Sequence, residues 1–173
     1  VEIPIDIQGS KIPASLVTLP AAPLSAQTPE AESVERLWQR LRQAKQPLLW
    51  LGGGALDCGE AVARLAEAGV TVISSTHGRC ILPDSHPRSL RAFHNSPSVE
   101  ELLVQCDMTL VVGSRLRSNE TRSWTLNLPE PRVQIDIDPA AASRNYLMDD
   151  TLVADSAPML AALAEKAQGR IWG

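Results

Sequence analysis

The sequence has few cysteines and none of the spacings that hold a metal ion or build a disulfide framework. Its three cysteines, Cys58, Cys80 and Cys106, are an odd number at wide spacing and form no CxxC pair. It also lacks an HExxH motif, a P-loop and a cluster of metal ligands. These absences exclude a zinc module or a secreted disulfide scaffold, and we expect a reducing, cytoplasmic location.

Long apolar runs and clusters of basic residues are missing too. No run approaches the roughly 18 residues that span a bilayer, and Val1 to Gln8 carry two acids and no basic stretch, unlike a signal peptide. The formal net charge is -4, with basic residues scattered along the chain. We therefore expect no membrane and no nucleic-acid partner. The 173 residues, 44% hydrophobic and 21% charged, are typical of one globular domain with a sizeable core.

The first 28 residues differ in pattern from the rest of the chain. Residues 1–7 alternate like a strand, and Pro13, Pro20, Pro23 and Pro29 follow with small residues between them. Closely spaced prolines block helices and remove donors from a sheet, which indicates an extended linker. We predict that residues 1–28 are the tail of a preceding domain plus a proline-rich linker, and that residues 29–173 form one α/β domain.

From residue 29 onward, short apolar runs alternate with helical patterns. The predicted strands cover residues 48–51, 70–73, 108–112, 133–137 and 151–154, and the predicted helices carry the apolar stripes beginning at Val34, Ala61, Val99 and Met159. Thr28 with Glu32, and Asp57, offer capping chemistry for the first two helices, and Gly69 is expected to end the second. This alternation predicts an α/β fold, a doubly wound parallel sheet with helices on both faces.

Glycines and charged residues follow the predicted strands at their carboxyl ends, where open α/β sheets bind ligands. Gly52–Gly54 could admit a phosphate to a helix N-terminus, or could form a tight turn without a ligand. After the third strand, Gly113 precedes Arg115, which suits either a phosphate or a surface ion pair. Asp136 suits ribose hydroxyls, and for Asp138 we favour a cap on the turn at Pro139.

The histidines do not form a recognisable catalytic arrangement. His86 precedes Pro87 and fits a loop, whereas His77 and His94 are candidates for ligand contacts. No serine, cysteine or lysine is placed with a histidine and an acid as a nucleophile would require. The residues by themselves predict a scaffold with a crevice and no catalytic residues.

Several sequence motifs, in order along nearly the whole chain, resemble motifs of one family. They are VEIPIDIQ at residues 1–8, PLLWLGGGA at 47–55, GRCILPDSHP at 78–87, CDMTLVVGSRL at 106–116 and QIDIDP at 134–139. The third is similar to a G-K-G-x-x-P-x-x-H-P loop, the fourth to A-D-x-x-L-x-x-G-x-R-L and the last to x-I-D-I-D-P. Together they resemble the central domain of thiamine-diphosphate-dependent enzymes of the acetolactate synthase and 2-oxo-acid decarboxylase family.

This resemblance implies a Rossmann-like sheet of about six strands, placed between pyrimidine-binding and diphosphate-binding domains of the same polypeptide. Those domains hold the catalytic glutamate and the G-D-G…N motif for Mg²⁺ and diphosphate, and neither is found here. The resemblance thus implies a domain with a structural and assembly role and no activity of its own. The parent would use thiamine diphosphate and Mg²⁺ and form a homodimer or homotetramer.

In the flavin-containing members of the family the central domain holds FAD. The matching positions here are Gly52, Gly53, Gly54, His94, Gly113, Arg115, Asp136 and Asp155. The pattern also departs from those members: Arg117, Ser118 and Asn119 stand where they have an acidic pair and a second arginine, and Arg91 and Asn95 replace glycines. We therefore expect a vestigial crevice, with FAD or an ADP-containing ligand as the alternatives.

Rival families fit less well. A self-standing NAD- or FAD-binding Rossmann-like domain predicts GxGxxG and an acid at the end of the second strand, where Ser74 and Ser75 stand instead. A sirtuin-like deacylase would need zinc-binding cysteine pairs. A purely structural domain agrees with most of the sequence.

Overall fold

The structure, a computed structural model, describes residues 4–16 and 28–173. The strands are β1 (Pro47–Leu51), β2 (Thr71–Ser74), β3 (Met108–Val112), β4 (Arg132–Asp136) and β5 (Asp150–Val153). The helices are α1 (Ile5–Gln8), α2 (Ala31–Gln43), α3 (Gly59–Glu67), α4 (Pro97–Leu103) and α5 (Ser156–Lys166). Short 3-10 helices cover Ala14–Leu16, Gly53–Cys58, Thr76–Gly78 and Ser118–Glu120.

All strand pairs of the sheet are parallel, and the strand order is β2-β1-β3-β4-β5. The chain adds β2 on one side of β1 and then crosses to add β3 on the other, so the sheet is wound in both directions. This confirms the predicted fold class. The direction changes between β1 and β3, the switch point at which such sheets form a ligand crevice.

Alternate residues of each strand face two different apolar layers. Leu49 and Leu51 point to a large core that includes residues of α2, α3 and α5, whereas Leu48 and Trp50 point to a smaller core under α4. The smaller layer is completed by loop residues after β3 and β4, namely Leu116, Leu126, Leu128, Tyr146 and Met148. Burial on both faces explains why β1 and β3 are continuous apolar runs.

The described residues form five strands, whereas the resemblance implies about six. A sixth segment starts to form outside β2, where Ser89 makes an isolated parallel bridge to Val72. Val72 N donates to Arg88 O at 2.9 Å, and Leu90 N donates to Val72 O at 2.7 Å. The segment is too short to count as a strand, and it lies along the β2 edge of the sheet.

Two predictions about helix starts are wrong. Helix α2 has Glu30 at its N-cap position and no capping side chain, so Thr28 and Glu32 do not form the expected cap. Asp57 lies inside the 3-10 helix Gly53–Cys58, and the N-cap position of α3 falls on Cys58 instead. Gly69 ends the helical region as predicted, with a φ of 105°.

The N-terminal segment also differs from its prediction. Residues 5–8 form the single helical turn α1, with no side chain buried, where the alternating pattern predicted a strand. Residues 1–3 and 17–27, which include most of the proline-rich linker, lie outside the described residues. The boundary at residue 28 stays a prediction. Within the described ranges, no helix is long and apolar enough to cross a bilayer.

Candidate functional site

A crevice lies at the carboxyl ends of the strands around the switch point. It consists of two compartments that share Gly54, Gly113 and Arg115. The β2-side compartment, about 210 Å³, is also lined by Gly52, Gly53, Ser75, His77, Ser114, Arg117 and Glu120. The β4-side compartment, about 270 Å³, is also lined by Asp136, Ile137, Asp155 and Ser156. The structure therefore brings seven of the eight predicted cofactor residues together, and Arg115 lies at the junction.

The glycines of the crevice pack directly against one another. A Cβ placed on Gly52 would lie 2.1 Å from Gly113 O, and one on Gly113 would lie 2.5 Å from Gly54 Cα. Gly54 N donates to Gly113 O at 3.0 Å, and Gly113 has a φ of 56°. The turn after β1 thus lies against the turn after β3, backbone to backbone. This close contact requires glycine at these positions whether or not a ligand is present.

The loop that carries Arg115 is fixed by side chains from later parts of the chain. Gln134, buried in β4, donates from Nε2 to Ser114 O at 3.1 Å. Asn145 Nδ2 donates to Arg115 O at 2.6 Å, and Trp124 Nε1 donates to Leu116 O at 3.1 Å. The Arg115 backbone is therefore held in place, while its side chain is 55% exposed.

The acids at the carboxyl end of β4 form a local network with Arg115. Asp136 Oδ1 accepts a hydrogen bond from Asp138 N at 2.9 Å. Asp138 Oδ1 accepts one from Ala140 N at 2.9 Å, which confirms the predicted cap on the turn at Pro139. The other carboxylate oxygen of Asp138 lies 3.6 Å from Arg115 Nη2. Arg115 thus makes the surface ion pair that the sequence left as the alternative to a phosphate contact.

Asp155 lies in the β4-side compartment and begins α5. Its side chain accepts a hydrogen bond from Ala157 N at 3.4 Å, which makes it the N-cap of the helix. A capping aspartate satisfies an otherwise free helical N–H and complements the helix dipole. This local function accounts for the residue without a bound cofactor.

The histidines lie in three different environments. His94 is 6% exposed and lies against Trp50, with ring centroids 6.0 Å apart, so it lines neither compartment and the structure does not bring it into the crevice. His77 does line the β2-side compartment, beside Gly53. His86 supports its loop as expected, because its Nδ1 accepts a hydrogen bond from Arg88 N at 3.2 Å.

Glu120 is a crevice residue that the sequence did not reveal. It ends the 3-10 helix Ser118–Glu120, is 2% exposed and lines the β2-side compartment. Its Oε1 accepts a hydrogen bond from Thr76 N at 2.9 Å, which joins the loop after β3 to the loop after β2. The only related observation in the sequence was the departure from the family pattern at residues 117–119. It concerned the positions next to Glu120 and not Glu120 itself.

Comparison with known proteins identifies the family. The profile of the family described as thiamine pyrophosphate enzyme, central domain, matches residues 34–163. The chain belongs to this family. The match spans all five strands and both sides of the crevice, so the resemblance seen in the sequence is confirmed.

The chain is also similar to segments of much longer proteins. It is 28% identical to the acetolactate synthase large subunit of Corynebacterium glutamicum, over 95% of this chain and 28% of that protein. It is 30% identical to the pyruvate oxidase of Lactiplantibacillus plantarum, over 98% of this chain and 29% of the relative. A solved structure from Mycobacterium smegmatis, described as a thiamin diphosphate-dependent enzyme, aligns with a TM-score of 0.64 and 26% identity over 84% of this chain and 29% of its own. The chain thus spans less than a third of each of these proteins.

Proposed function

We propose that this chain is a non-catalytic central domain of a thiamine-diphosphate-dependent enzyme that acts on 2-oxo acids, and that its role is structural. Relatives include a pyruvate oxidase and a probable 2-ketoarginine decarboxylase from Pseudomonas aeruginosa, 27% identical over 94% of this chain. Both names refer to a 2-oxo acid. Thiamine diphosphate and Mg²⁺ would bind to the neighbouring pyrimidine- and diphosphate-binding domains, and the parent enzyme would be a cytoplasmic homodimer or homotetramer.

The packing of Gly52 and Gly54 against Gly113 supports this proposal most strongly. In a phosphate-binding turn, glycines keep the backbone open to the ligand. Here the backbone of the facing turn occupies the space that a Cβ would take, and the Gly54 amide already donates to Gly113 O. The glycines therefore have a packing function that needs no nucleotide.

The charge of the crevice does not suit FAD. The acids that line it are Glu120, Asp136 and Asp155, against the guanidinium groups of Arg115 and Arg117. A diphosphate would therefore meet more negative than positive charge. We infer that the crevice is vestigial as a flavin site.

A thermal-shift experiment tests the vestigial crevice. We expect the purified chain to be colourless and its melting temperature to be unchanged by FAD or ADP. If the crevice bound FAD or ADP, Arg115→Ala would weaken that binding about ten- to hundredfold, because it removes a charge-assisted phosphate contact. Arg79→Ala, an exposed arginine outside the crevice, is the matched control. A yellow preparation, or an FAD-dependent shift that Arg115→Ala abolishes and Arg79→Ala retains, would show that FAD binds.

Turnover assays test the non-catalytic role. Pyruvate with thiamine diphosphate and Mg²⁺ should give no acetolactate, acetaldehyde or CO₂ above the rate without protein. The expectation follows because, among the described crevice residues, no serine shares a hydrogen bond with His77 as an activated nucleophile would. Activity that co-purifies with the chain through two separate columns would refute it.

The alternative, a self-standing NAD- or FAD-binding domain, has less support. Strand β2 ends at Ser74, which is followed by Ser75, and both are buried. No acid stands there to accept hydrogen bonds from a ribose. The thermal-shift experiment also tests this alternative, because NAD can be added as a third ligand.

A further inference from the structure

The β2-side compartment contains a buried carboxylate whose described hydrogen bond comes from a backbone amide. Glu120 is 2% exposed, and its one hydrogen bond from a described donor comes from Thr76 N at 2.9 Å. Among the described residues, none of the ion pairs involves Glu120. Buried charges in proteins are normally paired, because an isolated one loses its hydration without compensation. Glu120 therefore lacks a cationic partner within the described chain.

Positive charge faces the same compartment from the loop after β3. Arg115 and Arg117 both line it and both are exposed to solvent. The Arg115 side chain contacts Asp138 in an exposed ion pair, and such pairs contribute little to stability. Both guanidinium groups are thus able to turn towards a ligand. One small cavity is thus lined by a carboxylate and by two guanidinium groups.

This arrangement selects for a ligand that carries both charges. A simple anion would be repelled by Glu120, and a simple cation by Arg115 and Arg117. A neutral ligand would leave the Glu120 carboxylate unpaired. A molecule with an ammonium group and a carboxylate complements both kinds of side chain. The 210 Å³ cavity, room for about seven waters at ~30 Å³ each, accommodates a small amino acid.

We propose that the β2-side compartment binds a small zwitterion of the α-amino-acid type. The ammonium group would donate to Glu120, and the carboxylate would accept from the guanidinium group of Arg117, with Arg115 beside it. The inference rests on the proposal that FAD is not held in the crevice, since a flavin nucleotide would compete for the same space.

Calorimetric titration of the chain with matched ligands tests the charge requirement. L-alanine carries both groups, propionate lacks the ammonium group and ethylamine lacks the carboxylate. We expect saturable binding of L-alanine, and binding of propionate and ethylamine at least about tenfold weaker, because each forfeits one charge-assisted contact. Equal affinity for L-alanine and either single-charge analogue, or no heat with L-alanine up to its solubility, would overturn the proposal.

Variants with matched controls test the residues. Glu120→Gln keeps an acceptor for Thr76 N and should weaken L-alanine binding about ten- to hundredfold, as should Arg117→Gln. Glu101→Gln and Arg79→Gln make the same changes at exposed positions outside the compartment and should leave the affinity unchanged.

The outcomes separate this inference from the proposed function. If circular dichroism shows that Glu120→Gln does not fold, the L-alanine affinity of the Arg117→Gln variant decides between the outcomes, because Arg117 is exposed and its substitution should not affect folding. Unchanged L-alanine affinity in a folded Glu120→Gln or in Arg117→Gln would overturn the zwitterion site and leave the structural role intact. FAD that displaces L-alanine and colours the protein would instead overturn the vestigial crevice.

Discussion

The indole ring of Trp172 packs edge-on against that of Trp38, with ring centroids 6.3 Å apart and an interplanar angle of 82°. Trp172 is 2% exposed although it is the penultimate residue of the chain, and its backbone N donates to Ala68 O at 2.7 Å. Its carbonyl oxygen also lies where a Cβ on Gly69 would be, at 2.0 Å. The last residues of the chain are therefore part of the core between α2 and α3.

Trp172→Ala should destabilise the domain by about 3–5 kcal/mol, because it leaves a large cavity beside Trp38. Ile171→Ala is the matched control, since Ile171 is 83% exposed, and it should change stability by less than about 0.5 kcal/mol. The measurement is the free energy of unfolding from urea titration. Similar losses for both variants would show that the tail contributes through its backbone and not through the indole.

Gly52→Ala should destabilise the fold strongly. The new Cβ would lie 2.1 Å from Gly113 O, so β1 and β3 could not keep their register at the crevice. We expect a loss of about 3 kcal/mol, in line with overpacked cores. Gly59→Ala is the control: its Cβ would lie 3.4 Å from Ile81 O, and alanine in a helix should gain about 0.5–1 kcal/mol over glycine. Thermal melts of both variants would show opposite signs, and a neutral Gly52→Ala would refute the close packing of the turns.

Arg91→Gly should be more stable than Arg91→Ala. Arg91 has a φ of 56°, a backbone region that disfavours side chains by about 1–2 kcal/mol. Both substitutions lose the hydrogen bond from Nε to Asp84 O and the contact with the Phe93 ring. The difference between their free energies of unfolding therefore measures the backbone strain alone. We expect Arg91→Gly to be more stable than Arg91→Ala by about 1 kcal/mol. Equal stabilities would mean that the loop relaxes away from the left-handed conformation.

The sequence predicted the strands and most of the crevice because these depend on local patterns. Strand β3 has the predicted bounds, and helix α5 carries the apolar stripe predicted to begin at Met159. Arg91 stands where the sequence resemblance implies a glycine, and the structure gives it a backbone conformation that glycine favours. In each case the relevant information lies within a few residues of the feature.

The features that the sequence did not predict depend on contacts between distant parts of the chain. Glu120 is buried because its loop folds onto Thr76, 44 residues earlier, and no periodicity reports such a contact. His94 was assigned to the crevice, but packing against Trp50 holds it on the α4 face of the sheet. Asp57 has a side chain suited to capping a helix. It does not act as the N-cap of α3, because the chain becomes helical directly after β1 and Asp57 lies within that 3-10 helix.

The reactivity of Cys58 and of Cys106 should depend on pH in the same way. Burial raises the pKa of Cys106 to about 11, and the neighbouring Asp107 carboxylate adds to the shift. Burial likewise raises the pKa of Cys58 to about 11, with smaller contributions from Asp155 and Asp57. The thiolate is the reactive form, so both thiols are almost fully protonated near neutral pH. Cys80 is exposed and should be alkylated first.

Alkylation of Cys106 by iodoacetamide, followed by peptide mass spectrometry, measures this shift. Below its pKa the thiolate fraction rises tenfold for each pH unit, so the rate at Cys106 should climb without a plateau between about pH 7 and 10. Cys58, only 3% exposed, should follow the same slope at a lower absolute rate, because the reagent must also reach it. Circular dichroism at each pH checks that the fold persists, and Cys106→Ser confirms the peptide assignment. A plateau near the ordinary thiol pKa of about 8.5 would show that the Cys106 thiol is solvated and not desolvated by the protein.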